Sequence, residues 1–510
     1  MALRKIPAEN KALQMRCLDP SNDLLARLGS VQCLDDSIYH IKQLSTIDQK
    51  CSALLDALIQ VPNDLQESVS EGFVKALRES GQDHVANIYR KESDKVPMSD
   101  DHLDKLTQHF DLLCQFIEPG NILTRKLFSM KVINHADKEY IRSKSGYNEM
   151  SQKLIDILMR KADDAYDSFI DALNATEQSH VTFILTGEGD SRPLKDEHRS
   201  RLRTTRAKLV KMMDSKNTGL VSSLMSKSVF SDDDDEQVTA TEINDERNEI
   251  ILKLVARKSQ AAFFSFISAL NDNDQTHVVV EMIGRDIIAK IKTIYETGNL
   301  SETVGPLNVD AELVKFMHEM FANNGVVVAR INEILSEKDV SVADVRVGCI
   351  EITFTCQCAG SVRNLQRLYE NGELEVSMNE AFLPKFADKG LASLKVEIAE
   401  HQFEQCIKEF TRWAPMTSEH REALKESTEL LVDKLDVSAD LLDNMDNLCR
   451  RRREAIETAA THEQQVKTLI DVVSRQPDFA FAKLLKALSV TNQTEVVALI
   501  KHSSRSVLSM

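Results

Sequence analysis

FIDALNATEQSHV, Phe169–Val181, is the stretch on which the fold turns, because variants of it occur three more times in the chain. They are FVKALRESGQDHV from Phe73, FISALNDNDQTHV from Phe266 and LLKALSVTNQTEV from Leu484. Each copy begins with an apolar residue, continues to Ala-Leu, then reaches Gln and, three residues later, Val. The first three place His immediately before that Val, at His84, His180 and His277; the fourth has Glu495 there. The first three starts lie about a hundred residues apart and the fourth about two such lengths further on, so the chain reads as four related domains with one unrelated domain inserted before the last. A period this long is one compact domain per copy, not one helix pair of a solenoid.

Around each copy the apolar residues recur at spacings of three and four. Leu154, Ile155, Leu158, Ala162, Ala165, Phe169 and Leu173 do so in the second copy, and Leu469, Ile470, Val473, Ala480, Leu484 and Leu488 in the fourth. That period predicts amphipathic helices with one buried stripe. The expected repeat core is Phe73 with Leu77, Phe169 with Leu173, Phe266 with Leu270, and Leu484 with Leu488. Thr176 or Asn492 is expected to cap the helix after the glutamine turn. Sixteen glycines and ten prolines in 510 residues are few, which favours helices joined by short polar loops over an all-β chain.

The formal net charge of −17 argues against a general nucleic-acid binder, which needs a basic face to displace counterions. The beginning, MALRKIPAENK, has no apolar core of a secretory signal, and no apolar run is long enough to enter a membrane as a span. Nine scattered cysteines, an odd number, fit reduced thiols in a cytoplasmic protein better than a disulfide framework. Proline-bearing polar linkers fall at Glu92–Asp101, Gly187–Pro193, Gly298–Pro306 and just after Trp413. They divide the chain into domains at 1–91, 101–187, 194–297, 307–413 and 417–505.

The fourth of these segments, the insert, has a different rhythm. Val345, Val347, Ile350, Ile352, Phe354 and Cys356 alternate with polar residues apart from a slip at Gly348-Cys349, which predicts one strand bulged at the glycine. Leu394, Val396 and Ile398 predict a second strand. Helices are expected from Ala311 to Leu335 and from Val362 to Phe386. The insert is therefore expected to be an α+β sandwich of a small sheet and helices.

The repeats resemble the caspase-recruitment domain, a six-helix member of the death-fold superfamily. The resemblance rests on LVDKLDVSADLLDNM (Leu431–Met445), RRRREAIE (Arg450–Glu457) and Gln465–Ile500 in the last copy, and on Lys153–Leu185 in the second. The third and first diverge more, and the first lacks the usual arginine after its LLDAL. The insert is similar to the N-terminal domain of the death-domain adaptor TRADD, through VRVGCIEITFTCQC, SVRNLQRLYENGELEVSM with its Tyr369, Gly372 and Leu374, and LASLKVEIAEHQFEQC. The resemblance implies a mostly α chain of four death-fold bundles plus the α+β insert. It implies partners that are CARD-containing caspases or sensors, with a receptor-associated signalling protein bound by residues 307–413.

Such modules associate through complementary charged faces repeated several times. In the third repeat Arg199, Arg203 and Arg206 share one helical stripe, and Asp232, Asp233, Asp234 and Asp235 form an opposed acidic run, an arrangement that would support self-assembly. In the fourth, Asp436, Asp440 and Asp443 share a face and precede Arg450, Arg452 and Arg453. Solvated surface charge is the alternative for both. The repeated histidines have no second ligand at fixed spacing, so they read as helix-start or packing residues and not as metal ligands. Cys356-Gln-Cys358, with His401 and Cys406, reads as core thiols on one strand face. No P-loop, no caspase nucleophile motif and no H-E-x-x-H occurs. Neither catalytic residue, metal nor other cofactor is expected. The expected function is a non-enzymatic adaptor in apoptotic or innate-immune signalling; a decoy of such assemblies and an architectural scaffold stay open beside it.

Overall fold

The computed structural model describes residues 8–20, 22–31, 33–90, 94–295, 340–346, 350–386 and 391–507. The described residues are mostly helical, with one small sheet. They divide into two compact units: residues 1–195, 228–237 and 253–265, and the remainder.

In the first unit, the helices α1 (Ala8–Cys17), α2 (Asn22–Leu28), α3 (Asp35–Gln43), α4 (Ile47–Ile59), α5 (Gln66–Glu79) and α6 (Asp83–Tyr89) enclose one apolar cluster that includes Leu18, Leu28, Leu54, Phe73 and Leu77. There follow α7 (Asp100–Gln108), α8 (Phe110–Phe116), α9 (Asn121–Ser129), α10 (His135–Arg142), α11 (Tyr147–Leu158), α12 (Asp164–Ala175) and α13 (Ser179–Thr186). In this group α8 packs on α11 and α13, and α9 on α12.

The third repeat supplies α14 (Asp196–Met212), α15 (Leu220–Ser226), α16 (Asp232–Thr239), α17 (Asn244–Val255), α18 (Gln260–Asp272) and α19 (Thr276–Ile283). Within the second unit α14 packs against α19. Gly284 ends α19 at φ +75°, and a Cβ there would lie 2.4 Å from the Cys356 carbonyl oxygen. Only glycine fits so close an approach in that conformation.

The chain then enters a four-stranded antiparallel sheet of order β2-β3-β1-β4: β1 (Arg285–Tyr295), β2 (Val340–Arg346), β3 (Ile350–Cys356) and β4 (Leu391–Ile398). Three helices cover it, α20 (Ala359–Glu370), α21 (Glu373–Phe386) and α22 (Glu400–Arg412). One face is buried through Ile287, Ala289, Ile352, Phe354, Leu394 and Val396, the alternation expected of a one-sided antiparallel sheet.

Four sequence expectations for this region are corrected. The strand β1 lies upstream of residue 307, inside the segment given to the third repeat, and is central in the sheet. The run through Val345 to Cys356 is two strands, β2 and β3, paired antiparallel with Arg346 opposite Glu351. The helix expected over Val362–Phe386 is two, broken where Gly372 turns to φ +77°. Cys356 and Cys358 do not share a face, because the strand ends at Cys356; Cys356 is buried, whereas Cys358 is exposed and caps α20. Burial pushes the Cys356 thiol up to about 12 and the Cys406 thiol up to about 11. The helix expected over Ala311–Leu335 lies outside the described residues.

The last repeat forms α23 (Ser418–Lys434), α24 (Ala439–Asp443), α25 (Arg450–Glu457), α26 (His462–Ser474), α27 (Phe479–Val490) and α28 (Thr494–Val507). They surround a cluster including Leu431, Leu469, Leu484 and Leu488. Phe73, Phe169, Phe266 and Leu484 are each fully buried, on α5, α12, α18 and α27. Three linker prolines are held in isolated antiparallel bridges: Pro97 pairs with Ala162, Pro193 with Ser259 and Pro415 with Pro477. Among the described residues no helix is long and apolar enough to cross a membrane.

A candidate interaction interface at the repeat junctions

The glutamine of the repeated phrase, the residue before it and the histidine each have a mechanical role. The residue before the glutamine is left-handed in all four copies, at Gly81 (φ 77°), Glu177 (φ 60°), Asp274 (φ 57°) and Asn492 (φ 60°). The glutamine backbone N–H then bonds back to the carbonyl of the phrase's leucine: Gln82 to Leu77, Gln178 to Leu173, Gln275 to Leu270 and Gln493 to Leu488, at 2.8–2.9 Å. This is the Schellman closure of a helix. The caps expected from Thr176 and Asn492 are absent. The Thr176 hydroxyl donates back to the Ala172 carbonyl, and Asn492 supplies the left-handed turn.

The closure aims the glutamine side chain at the end of the repeat's early helix. Gln178 Oε1 accepts from the Glu118 N–H at 2.8 Å, and its Nε2 donates to the Glu118 carbonyl at 3.2 Å. Gln82 clasps Asp19 in the same way, Gln275 clasps Asp214 and Gln493 clasps Asp436. In a continuing helix that clasped N–H would bond four residues back. The clasp therefore leaves the carbonyls of Met15, Cys114, Val210 and Val432 without their helical donor.

An arginine of the following repeat fills the vacancy. Arg160 donates through Nη1 to the carbonyls of Met15 and Leu18, both at 3.1 Å, and through Nη2 to Asp48 at 3.1 Å. Arg257 does so to Cys114 at 3.3 Å and Ile117 at 2.8 Å, and also to Asn148. Arg475 reaches Val210 at 3.2 Å, Met213 at 3.1 Å and Asp245 at 2.8 Å.

The histidine returns the contact. His84 Nε2 donates to the Arg160 carbonyl at 2.8 Å, His180 to that of Arg257 at 2.8 Å, and His277 to that of Arg475 at 2.7 Å. A carbonyl can only accept, so Nε2 carries the proton. Burial lowers all three imidazoles to about 4, so they are neutral at pH 7.

Charge is matched in the same place. Lys258 binds Glu118 at 2.6 Å and Asp234 at 2.9 Å, and these two carboxylates hold it protonated against its burial. At the junction of the third and fourth repeats the lysine position is Gln476 and the aspartate position is Arg452. Arg452 donates to Asp214 at 3.2 Å with both side chains buried, so the cation has moved from one element to another while the pair survives.

The residues expected to form charged faces are thus divided. Asp234 and Arg452 are buried and ion-paired in junctions, and the half-buried Asp233 accepts from the Ile122 N–H. Arg206 bonds Glu249 of its own repeat, Arg199 lies near Asp196 at 3.5 Å, and Arg453 pairs with Asp443 and Glu457. Arg203, Asp232, Asp436, Asp440 and Arg450 are exposed, and Asp235 is half-buried. Sequence reading missed Arg160, Arg257, Arg475, Lys258 and the four glutamine clasps. The signal available was a pair of exceptions, the missing arginine in the first copy and the missing histidine in the last.

Residues 100–188 and 199–282 match the family model of the caspase recruitment domain, CARD. No curated protein and no solved structure matches the chain. CARD is a death-fold module that binds other proteins and is not itself catalytic. The two matched CARD stretches meet each other through Arg257 and His180, and the flanking segments meet them through the equivalent atoms.

Proposed function

We propose that the chain is a non-enzymatic adaptor of four CARD-like modules and one α+β module, acting in the cytoplasm in apoptotic or innate-immune signalling. One observation carries this reading. The segments before and after the two CARD matches use the same clasp, and they join those matches through the same arginine and histidine contacts. That recurrence supports reading all four as one module type.

The exposed charges of the fourth module, Asp436, Asp440 and Asp443, offer an acidic face to CARD-bearing caspases or sensors. In the third, exposed Arg203, next to the half-buried Arg199 on the same stripe, offers a basic one. The insert, with its resemblance to the TRADD N-terminal domain, would receive a partner of another class on residues 307–413. The test is capture of CARD-bearing caspase prodomains and sensor fragments by the full-length chain, compared with an Asp440→Lys/Asp443→Lys variant. Binding that weakens in the variant and in high salt supports the adaptor. A chain that captures none of them at low salt is left with the architectural reading.

A further inference from the structure

An interlock in which one face donates arginine and the opposite face donates histidine is heterologous. Such a contact propagates without limit unless its outer halves are changed. In this chain both outer halves are changed. The first repeat has Gln60 where its successors carry Arg160, Arg257 and Arg475, and Val61 where two of them carry Lys161 and Lys258. The fourth has Glu495 where its predecessors carry the histidine. It also has Val466 at the position of Cys51, Ser151 and Asn248, whose side chains donate to the Leu18, Ile117 and Met213 carbonyls at 3.2, 3.1 and 2.8 Å.

The changes are chemically directed. Gln60 cannot supply the guanidinium fork that spans two carbonyls and a side-chain oxygen. A carboxylate at 495 would face the carbonyl that every internal histidine donates to, setting two acceptors against each other with no proton between them. The rest of the fourth repeat's outer face keeps its pattern: Gln493 clasps Asp436, and Glu463 stands at the position of Asp48, Asn148 and Asp245.

We propose that Gln60 and Glu495 are end stops: they confine the interlock to the three junctions inside one chain and prevent a second copy from extending it at either end. The inference rests on the four-repeat reading, but its test needs no caspase or sensor, so failure of one does not decide the other. Both end residues are exposed, so their replacement disturbs no core.

The full-length chain carrying Gln60→Arg and Glu495→His is expected to form concentration-dependent multimers in sedimentation velocity, at least doubling its weight-average mass, while the wild type stays monomeric. Mixing the two single variants is expected to stop at a two-chain complex, because each then offers only one restored half. A double variant that keeps the wild-type circular dichroism and melting midpoint yet sediments as a monomer overturns the proposal. So does a mixture of single variants with no complex, or a wild type that already assembles to the extent of the double variant.

Discussion

Gln178 decides where an early helix stops, and it does so with both ends of one amide. It satisfies an N–H and a carbonyl of Glu118 while sitting 5% exposed, so its loss strands two half-buried backbone groups. Gln178→Ala should cost about 1–3 kcal/mol, read as a lower urea midpoint. Gln178→Glu should not rescue it, because a carboxylate accepts from the Glu118 N–H but cannot donate to the carbonyl. His180 gives a separate prediction. Its folded value of about 4 lies below the ordinary 6.5. Its contribution is therefore complete above pH 6.5 and is lost as pH falls from there through about 4, at most roughly 3 kcal/mol. Glu118 works in the opposite sense, because burial raises its carboxyl above the usual range and protonation there favours the folded state. Comparing stability against pH for the wild type and His180→Gln isolates the histidine. Glutamine keeps a donor without titrating, so the variant should lose less stability between pH 6.5 and 4.

At the scale of elements, a junction is a helix C-terminus made acceptor-rich by the clasp and a guanidinium that fills it. Arg257→Lys is accordingly not conservative. An ammonium on a flexible stem cannot hold the Cys114 and Ile117 carbonyls and Asn148 together, and the variant should lose about 1–3 kcal/mol. Faster proteolysis between α13 and α14 and a lower melting midpoint would check it; a midpoint matching wild type would mean that the fork is dispensable. The helices themselves were legible in the sequence because apolar residues at spacings of three and four leave few alternatives. The clasp and interlock were not, because most of the groups their side chains bond are backbone N–H and carbonyl groups, which carry no side-chain signature. The acidic run at Asp232–Asp235, read as a charged face, is divided by the helix it starts: its third member bonds Ser231 and turns inward to Lys258. In the insert, β1 went unread because Ile287, Ala289 and Ile291 alternate directly after an apolar helix, where a helical continuation competes.

At the scale of the whole molecule, the α+β domain interrupts the repeats in sequence without interrupting the contact they share. His277 precedes the sheet and Arg475 follows it, yet they bond at 2.7 Å. The start of the fourth repeat is held independently of the sheet, by the Asp478 N–H donating to the Ala414 carbonyl at 2.9 Å and by the bridge from Pro415 to Pro477. The interlock should then need the insert only as a tether that keeps the two repeats at high effective concentration. Replacing residues 285–412 with a long glycine–serine linker should leave the third and fourth repeats docked. A mutant cycle tests this directly. Arg475→Ala should lower the melting midpoint by the same amount in the full chain and in the excised one, since sites that do not interact give additive effects. A smaller penalty in the excised chain would mean that the insert shapes the junction. An equal one would make it a module carried by the repeats, free to hold a partner of its own while the arginine and histidine keep the flanking domains together.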